Sequence, residues 1–171
     1  PTICRNLSIV YENGKPAVQF DGANDVLPLS LTLFQSDPNF SIFSIGKHTQ
    51  TTTEGGLYDL GGGSVIVSLS FNYQGSNRYA TTNYRSGLIG TDGDAYDQTK
   101  SLFSHLGTAS SNDVFRDSTQ GTQNYGARGN FLNSLGKAQS VYLNGNAQEF
   151  VIYPSDQSAN RTDIEFNINK Y

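Results

Sequence analysis

The chain has 171 residues, of which 36% are hydrophobic and 15% charged, with 18 glycines and a formal net charge of −4. The length suits one domain, and the composition suits short strands joined by turns better than long charged helices. The negative balance offers no positive field to a phosphate backbone, and no stretch approaches the roughly 20 apolar residues that cross a bilayer, so neither nucleic acid nor membrane insertion is expected.

The chain opens at Pro1 and contains no Met, so a processed product or a segment of something longer is expected. The N-terminus lacks the charged-then-apolar pattern of a signal peptide. Cys4 is the single cysteine, which excludes an intrachain disulfide and any Cys-rich metal framework. Asn6, Asn39 and Asn160 stand in glycosylation sequons, which matter only in a glycosylating secretory pathway.

The first organised stretch is Ala17 to Phe20, then the turn pair Asp21-Gly22, then Val26 to Leu33, which predicts two strands. Phe40 to Ile45 reads FSIFSI. Phe40, Ile42 and Ser44 fall on one face and Phe43 and Ile45 on the other, as in a strand covered on both sides. After the Gly61 to Gly63 punctuation, Val65, Val67, Leu69 and Phe71 alternate with Ile66, Ser68 and Ser70, the clearest two-residue period in the chain. Asn72 to Arg85, polar with Tyr73, Tyr79 and Tyr84 interleaved, suits a half-exposed hairpin. Ser101 to Leu106, Val114 to Phe115, Phe131 to Leu135 and Phe150 to Tyr153 are the further expected strands, the last two framing a turn at Asn144-Gly145. The short spacing is that of a jelly roll. Beyond Pro154, Arg161, Ile164, Ile168 and Tyr171 repeat at helical spacing, which predicts one short closing helix. Ser158 is its expected N-cap, and Ile164 and Ile168 are expected to dock on the sandwich edge.

Two segments carry a resemblance. Gly14 to Leu27, GKPAVQFDGANDVL, resembles the first-strand signature of the concanavalin A-like lectin/glucanase superfamily in its laminin-G-like branch. Ala147 to Tyr171, AQEFVIYPSDQSANRTDIEFNINKY, is similar to that branch's final strand and helix. Such domains occur in bacterial surface proteins and phage virion proteins. The resemblance implies an all-β, two-sheet antiparallel jelly-roll sandwich with a short C-terminal helix, placed outside the cell, on a cell surface or on a virion. Between Gly46 and Lys137 only the strand rhythm matches, so ligand specificity does not carry over. Asp21 and Gly22 are expected to shape a tight turn, Phe20 to fill the core, and Arg161 to pair with a carboxylate such as Glu149.

The superfamily includes glycoside hydrolases, whose related glucanases place Glu, Asp at +2 and Glu at +4 or +5 on one strand face. Two positions after Glu12, Glu54, Glu149 and Glu165 stand Gly14, Gly56, Val151 and Asn167, so that pattern fails at every start. No nucleophile elbow, phosphate loop or HExxH motif is present, and His48 and His105 read as isolated surface histidines. No enzyme is expected.

Asp92, Asp94 and Asp97 gather three carboxylates in TDGDAYD, a Gly-containing loop whose oxygens suit Ca²⁺, although it lacks the regular ligand series and closing Glu of an EF-hand. A solvated acidic turn accounts for the same residues. Tyr79, Tyr84, Tyr96 and Tyr125, with Arg78 beside them, lie among Asn and Arg residues as sugar-binding rings do, while packing along strand surfaces is the alternative. Trp, the largest stacking platform, is absent. Two functions follow, with a glycoside hydrolase, which would need an acidic pair assembled from distant strands, as the third. One is a non-catalytic carbohydrate-binding or adhesion module that recognises a glycan or surface polysaccharide. The other is a structural interaction domain, such as a capsid decoration or tail-fibre module, that contacts other protein chains.

Overall fold

The computed structural model describes residues 7–31, 39–50, 53–61, 67–71, 79–81, 88–89, 99–108, 111–121, 124–125, 131–138 and 140–170. It begins with a hairpin of β1 (Ser8–Glu12) and β2 (Lys15–Asp21); β2 contains the strand expected at Ala17 to Phe20, whereas β1 was not expected. Glu12 pairs with Lys15, which leaves a two-residue loop of Asn13 and Gly14, both at positive φ (54° and 76°). An Asn-Gly pair in this conformation matches the natural twist of two antiparallel strands, and it was the available signal.

Strand β3 (Leu27–Leu31) follows the Asp21-Gly22 turn, and β4 (Phe40–His48) contains the FSIFSI run. Next come β5 (Gly55–Gly61), β6 (Val67–Phe71), β7 (Tyr79–Thr81), β8 (Leu88–Ile89) and β9 (Ser101–Gly107). They are followed by β10 (Ser111–Arg116), β11 (Thr119–Gln120), β12 (Asn124–Tyr125), β13 (Phe131–Leu135), β14 (Lys137–Ala138), β15 (Val141–Tyr142) and β16 (Asn144–Tyr153). A 3₁₀ turn at Ser158–Asn160 leads into the helix α1 (Arg161–Lys170).

The strands form two antiparallel sheets. The larger has the order β1-β2-β16-β4-β9-β10-β11, with β12 also paired to β10, and the smaller has the order β3-β13-β5-β6-β7-β8. A two-stranded ribbon, β14 with β15, forms a separate ladder packed against β5. Between the sheets lies the main core, which includes Phe20, Phe40, Ile42, Tyr58, Leu60, Leu69, Phe71, Phe103, Leu132 and Leu143. Period-2 alternation explains the selection: Leu69 and Phe71 of β6 and Phe40 and Ile42 of β4 point inward.

Phe43 and Ile45 of β4 point outward, and they are buried as well. With Leu102, Leu106 and Ile168 they form a second apolar cluster, against which Phe115, Val151, Tyr153 and Ile164 pack. The helix therefore lies across the outer face of the larger sheet and not along the sandwich edge. Face docking buries two isoleucines against several strands at once, which an edge could not do.

Three further expectations are corrected. Asn144-Gly145 is not a turn: both residues lie inside β16, paired with Asp21 and Phe20 of β2. Gly145 sits there because a Cβ would come within 1.9 Å of the Lys47 carbonyl oxygen. Ser158 does not cap α1. It starts the 3₁₀ turn, and its own N–H is held by Asp156 Oδ1 at 2.8 Å. Arg161 pairs with Glu165, not Glu149, because one helical turn brings positions i and i+4 together (2.6 Å).

Candidate functional site

The Asp21-Gly22 corner has the expected form. Asp21 Oδ1 accepts hydrogen bonds from the N–H groups of Ala23 (2.8 Å), Asn24 (3.1 Å) and Asp25 (3.3 Å), while Asp25 Oδ2 accepts from Asp21 N–H (3.0 Å). These donors, that of Ala23 foremost, hold the Asp21 carboxyl below the usual carboxylate range. Gly22 supplies the left-handed φ of 77°. The corner is a structural device that fixes the β2–β3 connection.

The histidines are buried, not superficial. His105 is inaccessible in the main core, where its Nδ1 lies 2.7 Å from the Tyr58 hydroxyl and Phe40 meets its ring edge-on. Burial pushes the Tyr58 hydroxyl well above its usual range. His48 Nε2 lies 2.9 Å from the Thr53 carbonyl oxygen and its ring stacks on Phe71; burial lowers its basicity. Both are sealed from solvent and serve the packing.

Among the described residues a cleft of about 420 Å³ opens on the outer face of the larger sheet. Its floor is apolar: Ile45, Leu102 and Ile168. Its walls carry Lys15, Lys100, Asp117, Gln148, Glu149 and Asn169. Four strands and the helix contribute, and three local features bring the polar groups together.

The first is a β-bulge. Across the β16–β4 ladder Ala147 opposes Gly46 and Glu149 opposes Ile45, so Gln148 is an extra residue. Before the bulge Ala147 faces the core; after it Phe150 and Ile152 do. Gln148 and Glu149 therefore both face outward, which regular alternation forbids. The second is the tight turn of Asp117 and Ser118, two non-glycine residues at positive φ (47° and 68°). It folds back on β9, with Leu102 N–H donating to Asp117 Oδ1 and Asp117 N–H to the Leu102 carbonyl, both at 2.9 Å. Such conformations persist only where the surroundings impose them.

The third is the docking of α1. Glu165, 2% exposed, accepts hydrogen bonds from Ser104 Oγ and Ser118 Oγ (2.7 Å each) and from Arg161 Nη1 (2.6 Å). Arg161 in turn lies 3.9 Å over the Phe115 ring. One buried carboxylate thus ties the helix to β9 and to the strained turn, and closes one wall of the cleft.

Beside the cleft the polar groups are already committed to one another. Lys47 Nζ pairs with Glu12 Oε1 (2.9 Å); Gln148 Nε2 donates to the Glu12 (3.2 Å) and Lys15 (3.4 Å) carbonyls; Lys100 Nζ donates to Gln148 Oε1 (2.7 Å). On the opposite, smaller sheet, alternation turns Asp59 outward. Burial raises its carboxyl above the usual range, with Lys137 and Asn133 opposing that shift.

Of the residues singled out from sequence, Arg78, Tyr84, Tyr96, Asp92, Asp94 and Asp97 lie outside the described residues. Tyr79 and Tyr125 stand in β7 and β12, their side chains likewise undescribed. The cleft residues were not anticipated, because nothing local in a sequence marks a bulge or brings Lys15, Lys100 and Glu149 together.

No family model and no curated protein matches the chain. Solved structures do. Domain 4 of AbnA, an extracellular arabinanase of Geobacillus stearothermophilus in complex with arabinotriose, superposes with a TM-score of 0.65 at 12% identity, covering 94% of this chain and 81% of that one. Mouse laminin α1 domains LG4-5 give 0.57 at 12% identity, covering 80% and 40%. Trypanosoma rangeli sialidase gives 0.63 at 11% identity, covering 84% and 26%. The chain thus spans less than half of the laminin and sialidase chains. These likenesses establish the fold as the concanavalin A-like, laminin-G-like jelly roll that the two terminal segments imply.

Proposed function

We propose that this chain is a non-catalytic carbohydrate-binding or adhesion module, displayed outside the cell on a cell surface or virion. The observation that carries the proposal is the cleft on the outer face of the larger sheet. An apolar floor with converging carboxylate, carboxamide and ammonium groups is what a sugar requires, since its ring presents C–H surface on one side and hydroxyls around the rim. The likeness in fold to an arabinanase domain bound to arabinotriose supports this reading.

The test is a broad glycan array with the recombinant chain, run with Ca²⁺ and again with EDTA, followed by titration of any hit against cleft and loop variants. Selective binding is expected. EDTA sensitivity would assign a calcium role to Asp92, Asp94 and Asp97. Release of reducing sugar from a bound glycan would overturn the non-catalytic reading.

A second reading is favoured by one observation. Ile9 (73% exposed) and Tyr11 (76%) stand on one face of β1, an edge strand among the described residues, as apolar residues at a contact with another protein chain would. A blank array together with concentration-dependent self-association, or capture by a neighbouring structural chain, would favour that role.

A further inference from the structure

From the charges of the cleft we infer its ligand class: a neutral, hydroxyl-rich saccharide, not a sialylated, sulfated or uronic acid glycan. The inference rests on the carbohydrate-binding reading and narrows it.

The charged groups lining the cleft are Lys15 and Lys100 against Asp117 and Glu149, so they cancel. Their availability does not. Lys100 is held by Gln148 Oε1 at 2.7 Å, and Gln148 is itself fixed to the β1–β2 hairpin through the Glu12 and Lys15 carbonyls. The nearby guanidinium of Arg116 is also engaged, with Nε donating to Ser101 Oγ (2.9 Å), Nη2 to Thr99 Oγ1 (3.2 Å), and Asp117 Oδ2 at 3.7 Å from Nε. Lys47 is paired with Glu12. Lys15 therefore stands as the cation of the cleft without a side-chain partner among the described residues, and the Glu149 carboxylate that also lines it is likewise unengaged among them.

An anionic sugar would add its carboxylate or sulfate to a lining in which Lys15 and Lys100 already balance Asp117 and Glu149, on a chain whose net charge is −4. A neutral polyol meets no such penalty. The Glu149 carboxylate accepts from hydroxyls, Lys15 donates to them, and the Asn169 carboxamide does both, while Ile45, Leu102 and Ile168 take the apolar ring face.

The experiment compares neutral oligosaccharides (arabino-, xylo-, manno- and gluco-) with sialylated, sulfated and uronate-bearing ones. Titrations use the full chain, E149Q, K15Q and the remote control D59N, with circular dichroism and melting curves confirming that each variant folds. Neutral glycans are expected to bind with an affinity that hardly changes from low to high salt. E149Q is expected to weaken binding about tenfold or more, as for the loss of a charge-assisted hydrogen bond, and K15Q to weaken it less; D59N is expected to bind as the parent chain does. Binding confined to anionic glycans, or suppressed by salt, would overturn the inference while leaving a carbohydrate-binding function standing. Neutral binding that E149Q leaves intact would overturn it also. No binding to any glycan would remove both.

Discussion

The attachment of α1 concentrates on one carboxylate, so replacing it gives a sharp test. In Glu165→Ala the Ser104 and Ser118 hydroxyls and the Arg161 guanidinium lose a shared acceptor. Ser104 is 1% exposed and has no access to water in exchange, whereas Arg161 is 17% exposed and keeps its stacking on Phe115. Hydrogen bonds to a charged group contribute about 1.5–3 kcal/mol each, and removing one partner of a buried pair costs about 3–5 kcal/mol. With partial hydration of Arg161 the expected loss is about 3 kcal/mol. For a chain of this size that lowers Tm by roughly 6–12 °C. Glu165→Gln keeps the acceptor oxygen without its charge and is expected to lose about half as much. Urea unfolding at constant m-value measures both, and hydrogen exchange on β9 reports whether the helix has lifted from Leu102 and Leu106. A loss below about 1 kcal/mol for the alanine variant would refute the idea that this carboxylate anchors the helix.

Gly145→Ala is expected to cost about 3 kcal/mol or to prevent folding, since its Cβ would press within 1.9 Å of the Lys47 carbonyl oxygen and β16 and β4 would have to part; expression yield and melting temperature are the measures. His48 has its basicity lowered by burial, so the unfolded chain binds the proton more readily. Its contribution is therefore complete above the unfolded value near pH 6.5 and is lost as pH falls below it, and His48→Gln should flatten the stability profile measured by urea titration between pH 7.5 and pH 5. Asp21 has its carboxyl lowered by the backbone donors of its turn, so its contribution is present above the unfolded carboxylate range near pH 4 and declines below it as pH approaches the folded value. Asp21→Asn should remove that acid limb, and Asp21→Ala should cost about 1 kcal/mol at neutral pH after allowance for solvent exposure.

The fold was legible in the sequence wherever the signal was local. FSIFSI shows which residues of β4 face the core and which face outward, because a strand alternates sides with no reference to its neighbours. Ser101 to Leu106 and Phe131 to Leu135 fall in strands as expected, and Asp21-Gly22 was marked by its turn chemistry. The β1–β2 hairpin was equally accessible through Asn13-Gly14 and went unread. Asn144-Gly145, by contrast, has the composition of a turn and lies in a strand, where Gly145 answers a close approach of Lys47 from a segment about a hundred residues away.

Tertiary structure alone decided the candidate site. Composition and spacing directed attention to tyrosines and aspartates in polar stretches, since those residue types announce themselves singly. The described lining of the cleft includes none of the residues so singled out. It depends on a bulge that shows only in the register of β16 against β4, on a tight turn folded onto β9, and on a helix whose arginine pairs with Glu165 in place of the expected Glu149. Local chemistry determined the strands and some of the turns; long-range register determined which side chains share a surface, because pairing partners tens to more than a hundred residues apart leave no mark on one another in a single sequence.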